Sequence, residues 1–180
     1  AVVRKWTATA FDAFRRDGFT PETTVVTLSE PLDGREATVR HRPGTLTQRI
    51  ANAVRREAGA DLGIFNSGSV RIDDILPPGP VSEYDIIRLM PFGGKVLTVR
   101  MEGALLARVL DTGLSNEGLG GYLHSSDGVT RTSQGWTIAG APLDPARVYT
   151  VGINEFLMSG REANMGFLTR TASGVGAIEE

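Results

Sequence analysis

The sequence predicts a mixed α/β fold in which helices flank a mixed β-sheet, and three observations support this class. Segments with apolar residues at helical spacing alternate along the chain with short runs rich in Val, Ile and Thr. A succession of strand-like segments late in the chain argues against an all-parallel sheet. The length of 180 residues and the 41% apolar content suffice for a single domain with a substantial core.

The first third of the chain predicts the order helix, strand, helix, strand. Residues 4–19 have apolar side chains at helical spacing and end at a glycine, and residues 21–35 form a Val- and Thr-rich strand that ends in a turn. Residues 60–65 are nearly all apolar, which predicts a strand inside the sheet. Residues 45–59 predict an amphipathic helix, whose apolar face comprises Leu46, Ile50, Ala53 and Val54.

The remaining segments continue the alternation. Ser82 is a predicted N-cap, because Asp85 stands at the third position of the helix that follows. The predicted segments are a loop (66–80), a helix (82–90), a strand (95–102), a helix (102–114), a glycine-rich loop (118–128), several short strands (129–154), a loop (155–170) and a tail (172–180).

Composition excludes several classes of function. The formal net charge is −2, so the chain has no overall positive field for nucleic acid or an anionic membrane. Cysteine is absent and there are two histidines, which excludes disulfides and thiolate or histidine-rich metal sites. No apolar run approaches the ~20 residues of a membrane span. The chain opens without Met or a signal peptide, as expected of a processed protein or a fragment.

The chain has no motif for a self-sufficient hydrolytic centre. No glycine-rich loop ends in Gly-Lys-Ser/Thr, and no Gly-x-Gly-x-x-Gly follows a strand. His124, Ser125 and Asp127 are the residue types of a catalytic triad, but a turn explains such close neighbours better. Asp73 and Asp74 lack a nearby histidine, which favours a solvated pair or a turn cap over a metal site. We therefore expect no metal or other cofactor in this chain.

Two phenylalanines in glycine-bearing loops are candidates for ligand contact. Phe92 lies in the segment MPFGGK, and Phe156 directly follows a predicted strand. Rings on separate loops can enclose a planar base, and each stacking contact contributes ~1–3 kcal/mol. The alternative, favoured for either ring taken singly, is a core residue at the end of a secondary-structure element.

Four polar residues are further candidates, each with an ordinary structural alternative. The Asn66 amide has the donor and acceptor to pair with a base edge, or it completes a turn. Arg40 and Arg71 have the charge to bind phosphate, carboxylate or sugar oxygens, or they form surface ion pairs. The Glu162 carboxylate has the acceptors for vicinal ribose hydroxyls, or it is solvated in its loop.

Several segments from about Thr24 to Phe167 follow one another in an order typical of one protein family. They include LDGREATVR, ADLGIFNSGSVR, GGYLHSSDGV and APLDPARVYTVGIN. The pair formed by LMPFGG and the later NEFLMSG is the most specific feature. On these segments the chain resembles the C-terminal domain of 5′-nucleotidases, a group that includes bacterial UDP-sugar hydrolase and animal ecto-5′-nucleotidase.

The resemblance implies a division of labour between two domains of one polypeptide. An N-terminal metallophosphoesterase domain with two divalent metal ions hydrolyses the substrate, and the C-terminal domain binds the nucleotide or nucleoside part of it. Residues 1–180 would be the substrate-recognition domain, and residues 1–20 the helix that links it to the N-terminal domain. The resemblance also implies a periplasmic, cell-surface or secreted protein.

The resemblance assigns a role to each candidate residue. Phe92 and Phe156 match two base-stacking phenylalanines, and Asn66 matches a polar residue that contacts the base. Two matching arginines, Arg40 and Arg71, face the ribose and phosphate side. Glu162 occupies the place of a ribose-binding Asp.

Two loops depart from the family pattern. The usual Gly-Gly-Asp-Gly is SGREA here, so Arg161 replaces a glycine and Glu162 is one methylene longer than Asp. The glycine-rich NGGGIR is NSGSVR. We predict a nucleotide-binding domain that hydrolyses nothing by itself. The alternative is a non-catalytic interaction module that kept the fold and lost the ligand, and a self-sufficient hydrolase using His124 ranks third.

Overall fold

The computed structural model describes residues 2–180, with side chains from Trp6 onward. This part of the chain contains five α-helices: α1 (Val2–Arg16), α2 (Glu36–Val39), α3 (Thr45–Glu57), α4 (Glu83–Leu89) and α5 (Gly103–Ser115). It contains twelve strands: β1 (Thr24–Leu28), β2 (Leu32–Asp33), β3 (Leu62–Asn66), β4 (Ile75–Leu76), β5 (Gly79–Ser82), β6 (Val96–Glu102), β7 (Leu123–Ser125), β8 (Val129–Thr132), β9 (Gly135–Ile138), β10 (Ala141–Pro142), β11 (Val148–Asn154) and β12 (Val175–Glu179). Short 3₁₀ turns follow β3 and β11, at Ser67–Ser69 and Glu155–Met158.

The main sheet has five strands in the order β12–β6–β11–β3–β7. Strands β11 and β3 are parallel, whereas β6 is antiparallel to both of its neighbours and β7 is antiparallel to β3. This combination confirms the predicted mixed α/β class. Because β3 and β11 are parallel neighbours, Asn66 and Asn154 at their carboxyl ends lie at the same edge of the sheet.

Two groups of buried apolar side chains form the core, and β3 contributes to both. Leu62 and Ile64 belong to the larger group, which surrounds the main sheet and α5. Phe65 belongs to the second group, together with side chains from α3, α4 and the short strands β1, β2, β4 and β5. Successive side chains of a strand point to opposite faces, so both faces of β3 are covered, as predicted for an interior strand.

Helix α3 approaches β3 and β11 closely because both strands carry glycine at the contact. A Cβ atom at Gly63 would lie 2.4 Å from the carbonyl oxygen of Ala51. A Cβ atom at Gly152 would lie 2.8 Å from the Cβ of Ala58. The absence of both Cβ atoms therefore sets the distance between the helix and the sheet.

The buried face of α3 differs in part from the predicted one. Its buried residues are Leu46, Thr47, Ala51 and Val54. Ala53 is exposed, so its predicted place on the apolar face is wrong. Near Ala53 the helix contacts the sheet through Ala51 and Val54, and position 53 lies about 160° and about 100° around the helix from these two residues.

Helix α4 begins as predicted. The Ser82 hydroxyl accepts a hydrogen bond from the Asp85 N–H at 3.3 Å, and the Asp85 carboxylate accepts one from the Ser82 N–H at 2.9 Å. The same helix anchors α1, because the rings of Phe11 and Phe14 pack on Tyr84 with centroid distances of 5.0 and 5.9 Å. The predicted first helix is therefore present as α1, and its role as a link between domains stays a prediction.

Three segments predicted as loops or a tail contain strands. The segment 66–80 contains β4 and the start of β5, and the segment 118–128 contains β7. These strands are two to four residues long, which is too short for an alternating pattern to be visible. The predicted tail is β12, which pairs with β6 and packs Val175 and Ile178 against the main core.

Candidate functional site

A cleft of about 840 Å³ lies at the carboxyl ends of β3 and β11. Ligand sites are frequent at this edge of sheets with parallel strands, because the loops that follow the strands meet there. The cleft contains all six predicted site residues: Arg40, Asn66, Arg71, Phe92, Phe156 and Glu162. The structure thus brings together residues from four separate loops, and their role in binding stays a prediction.

The two phenylalanine rings are accessible from solvent. Phe92 is 66% exposed and Phe156 is 41% exposed, so neither is the core residue that was the alternative. Each ring has a guanidinium group near it. The Cζ of Arg71 lies 5.0 Å from the centre of the Phe92 ring, and the Cζ of Arg161 lies 5.6 Å from the centre of the Phe156 ring. These distances fit weak cation–π contacts.

The cleft is locally positive although the chain as a whole is slightly acidic. Four arginines and two glutamates line it. Arg40 is paired with Glu36 at 2.9 Å, and Arg170 with Glu155 at 3.0 Å. In the described part of the chain, no ion pair involves the other two arginines, Arg71 and Arg161. Their charge is therefore available to an oxyanion of a ligand.

The Asn66 side chain is buried in the floor of the cleft, with 4% of its surface exposed. Its Nδ2 donates a hydrogen bond to Oε2 of Glu162 at 2.7 Å. Its Oδ1 accepts hydrogen bonds from Ser69 Oγ at 2.7 Å and from Asn154 Nδ2 at 3.0 Å. The amide that was predicted to contact a base is thus bonded to protein atoms at both ends.

Ser69 and Asn154 line the cleft and were not predicted as site residues. Both residues are in segments that the sequence analysis singled out, next to predicted site residues. Asn154 stands at the end of a strand, which indicates a site residue only if β11 is known to lie beside β3. The signal for Ser69 was its position three residues after Asn66, where a tight turn brings the two side chains together.

Asn116, which is fully buried at the end of α5, forms hydrogen bonds with the loop that carries Glu162. The Asn116 Nδ2 donates to the Ala163 carbonyl oxygen at 2.8 Å, and its Oδ1 accepts from the Asn164 Nδ2 at 2.6 Å. A Cβ atom at Gly121 would lie 2.9 Å from Oε1 of Glu162. The glycine therefore leaves the space that the carboxylate occupies.

The residues of the imagined triad do not form one. His124 is buried, and its Nε2 donates a hydrogen bond to the carbonyl oxygen of Val39 at 2.7 Å. Burial lowers the pKa of His124 from 6.5 to about 4, although the hydrogen bond to Val39 opposes the shift. The Asp127 carboxylate accepts a hydrogen bond from Asn52 at 2.7 Å. His124 is therefore held as a structural residue of β7, and these contacts do not support a hydrolase built on it.

The described side chains contain no group of three or more His, Asp or Glu that could hold a metal ion. Asp73 accepts a hydrogen bond from the Glu36 N–H at 2.8 Å, and Asp74 accepts one from the Ile75 N–H at 2.7 Å. Asp74 thus caps a backbone group just before LPPGP, one of the two predicted roles, whereas Asp73 caps the start of α2, which was not predicted. Among residues 2–180, no helix is both long and apolar enough to cross a bilayer.

Comparison with known proteins identifies relatives over most of the chain. Residues 23–169 match the family model described as 5′-nucleotidase, C-terminal domain. The chain is 24% identical to protein UshA of Yersinia enterocolitica over 137 residues. This match covers 73% of this chain and 24% of UshA. The chain is also 28% identical over 146 residues to the NAD 5′-nucleotidase of Haemophilus influenzae, a match that covers 67% of this chain and 23% of that protein. The chain thus spans about a quarter of the length of these relatives.

Solved structures share the fold. The crystal structure of a 5′-nucleotidase precursor from Thermus thermophilus matches 97% of this chain and 37% of its own, with a TM-score of 0.72 and 21% identity. The NAD nucleotidase of Haemophilus influenzae matches 88% of this chain and 33% of its own, with a TM-score of 0.62 and 22% identity. At this level of identity the likeness establishes the architecture.

Proposed function

Because this chain belongs to the family of 5′-nucleotidase C-terminal domains, we propose that it binds the nucleotide or nucleoside substrate of a metal-dependent phosphohydrolase. Hydrolysis would take place on an N-terminal domain of the same polypeptide, where two divalent ions activate water and neutralise the leaving phosphate. The described residues do not fit a metal site, so we assign both ions to that domain. We also propose that the protein is periplasmic, cell-surface or secreted, which the family resemblance supports.

The observation that carries the proposal is the pair of exposed rings in one cleft. Phe92 and Phe156 come from loops that follow different elements, and both expose apolar surface inside the same cleft, where a planar ligand can cover them. The base would stack between the rings, at ~1–3 kcal/mol for each. Arg71 and Arg40 would bind the phosphate and ribose side, and Glu162 would accept hydrogen bonds from the ribose hydroxyls.

Isothermal titration calorimetry with adenosine, AMP and UDP-glucose tests this proposal. We expect AMP to bind the wild type, and Phe156→Ala to raise the Kd by about 5- to 150-fold, which corresponds to the loss of one stacking contact of ~1–3 kcal/mol. The matched control is Phe19→Ala, because Phe19 is also 41% exposed and lies outside the cleft. Equal heats for the wild type and Phe156→Ala would contradict the proposal.

The second candidate is an interaction module that has lost the nucleotide. One observation favours it: the guanidinium of Arg161, which stands where the family has a glycine, lies over the Phe156 ring at 5.6 Å from its centre and competes with a base for that face. In that case none of the three ligands produces heat with the wild type. If ligand binding produces heat with Arg161→Ala and not with the wild type, the Arg161 side chain blocks the space between the Phe92 and Phe156 rings.

A further inference from the structure

The bonds of Glu162 fix the direction of its carboxylate. Its Oε2 accepts from Asn66 Nδ2 at 2.7 Å, and its Oε1 accepts from the N–H of Ala163 at 2.8 Å. Each carboxylate oxygen can accept a second hydrogen bond, so the group keeps two lone pairs for hydroxyl donors of a ligand. The directions of both lone pairs are fixed by Asn66 and the Ala163 N–H together, and Asn66 is the one side chain of the two.

The orientation of the Asn66 amide depends in turn on two residues behind it. Ser69 and Asn154 both donate to its Oδ1, so its Nδ2 must face Glu162. If the amide turned over, its oxygen would face the carboxylate and its NH₂ would face the Asn154 NH₂, while the Ser69 hydroxyl would have to change from donor to acceptor. The two donors thus keep an N–H group pointed at the acidic side chain.

Asn154 has only one possible orientation as well. Its Nδ2 donates to Asn66 Oδ1 at 3.0 Å and lies 3.3 Å from Ser69 Oγ. Its own Oδ1 is buried and has no hydrogen-bond partner among the described residues. The opposite orientation would place two amide oxygens 3.0 Å apart. The side chain therefore tolerates an unpaired acceptor in order to donate to Asn66.

We propose that Ser69 and Asn154 are positioning residues that act through Asn66 on Glu162. In this arrangement Asn66 holds the carboxylate and does not read the base, and Glu162 selects a ligand with a vicinal diol. The inference rests on the proposed function, since the diol it concerns is the ribose of the bound nucleotide. It predicts that the cleft distinguishes ribonucleotides from 2′-deoxyribonucleotides through four connected side chains, of which Glu162 alone bonds with the diol.

The test compares the Kd for AMP with the Kd for 2′-deoxy-AMP in the wild type, Ser69→Ala and Asn154→Ala. We expect the wild type to prefer AMP by about tenfold, and each variant to lower this preference by about three- to tenfold while the Kd for 2′-deoxy-AMP changes less than about twofold. The matched control is Asn52→Ala, since Asn52 bonds with Asp127 outside the cleft and its loss is expected to leave the preference unchanged.

A double-mutant cycle with Glu162→Ala separates positioning from a general loss of structure. If Asn154 acts through Glu162, the Asn154→Ala substitution has no further effect on the preference for AMP once Glu162 is removed. Additive effects would contradict the proposal. Should Asn154→Ala fail to fold, Ser69→Ala carries the same cycle with the loss of a single hydroxyl group.

The outcomes separate this inference from the function on which it rests. If the wild type binds AMP and both variants keep its preference over 2′-deoxy-AMP, the positioning role is wrong and nucleotide binding stands. If the wild type binds neither nucleotide, the proposed function fails, and the inference fails with it.

Discussion

His124 lies on strand β7, stacked on Phe65 at a centroid distance of 5.3 Å. Its Nε2 donates to Val39, the residue before Arg40 of the cleft. Its Nδ1 is buried and has no partner among the described side chains and backbone groups. A proton added at Nδ1 would place an imidazolium in an apolar site, which is why the folded protein holds the neutral form.

We predict that stability falls in mild acid because of His124. The pKa is about 4 in the fold and 6.5 without burial, so the unfolded chain binds a proton at a higher pH than the folded protein. The contribution of the neutral imidazole is therefore complete above about pH 6.5 and is lost as the pH falls towards about 4, by ~3 kcal/mol in all. Urea unfolding at about pH 7.5 and about pH 4.5 measures how much free energy of unfolding the wild type and His124→Gln each lose between the two pH values. The difference between these two losses tests the prediction.

The control for this prediction is the other histidine. His41 is at the surface beside Glu117, and we expect His41→Gln to follow the wild type within ~0.5 kcal/mol at each pH. If the free energy of unfolding of His124→Gln falls with pH as much as that of the wild type, other groups cause the acid sensitivity.

At the scale of residues, the sequence predicts which side chains belong to the site better than what each one does. Phe92 and Phe156 were assigned as a pair by the family resemblance, since a core position was favoured for either ring taken singly. The bond between Asn66 and Glu162 was not recognisable, because it joins residues 96 positions apart. Hydrogen-bond partners are a property of the folded arrangement, and residue type alone leaves both a ligand and a neighbour open.

At the scale of elements, the contact between α3 and the main sheet leaves no room for a side chain at position 63 of β3. The backbone of α3 passes over Gly63, where a Cβ atom would lie 2.4 Å from the Ala51 oxygen and 2.6 Å from the Arg55 nitrogen. These are backbone atoms of a helix, which have no rotamer by which to move aside. The helix, β3 and β11 therefore form one unit, and the strand ends that reach the cleft depend on it.

We predict that Gly63→Ala destabilises the fold by about 1–3 kcal/mol, because the added methyl group forces α3 away from the sheet. The measurement is the midpoint of urea unfolding at unchanged slope. Gly166→Ala is the matched control, since its nearest neighbour is the Gly160 oxygen at 3.8 Å, and we expect a change within ~0.5 kcal/mol. Equal midpoints for the two variants would mean that α3 adjusts without cost.

Elements with strong local signals were predictable, and those stabilised by distant partners were not. Helix α4 has a capping box and α3 has a clear apolar stripe, so both follow from nearby residues. Strand β12 contains a glycine and an alanine within its short span and gains its conformation from pairing with β6. No local pattern can indicate a partner about 75 residues earlier in the chain.

At the scale of the molecule, the topology of the main sheet explains where the site lies. Strands β3 and β11 are parallel, so the loops after them meet at one edge, whereas the antiparallel β6 between β11 and β12 ends at the other edge and leads into α5. Residues of the cleft thus come together only because β3 and β11 are neighbours. The sequence predicts both strands but not their adjacency, which is why it assigned the site by resemblance and not by geometry.

The same topology separates binding from chemistry, and this leads to our last prediction. The cleft contains aromatic faces, arginines and a carboxylate, to which we assign the binding of substrate, and the described residues contain no group of three or more His, Asp or Glu that could hold a metal ion. We expect this chain to bind AMP equally well with EDTA and with added Mn²⁺, and to release no phosphate from AMP above the buffer rate under either condition. Phosphate release that rises with added metal would contradict the assignment of hydrolysis to another domain. A contaminating phosphatase is recognised with Phe156→Ala, because its activity would be the same in both preparations, whereas hydrolysis in the cleft would decrease with the weakened binding of AMP.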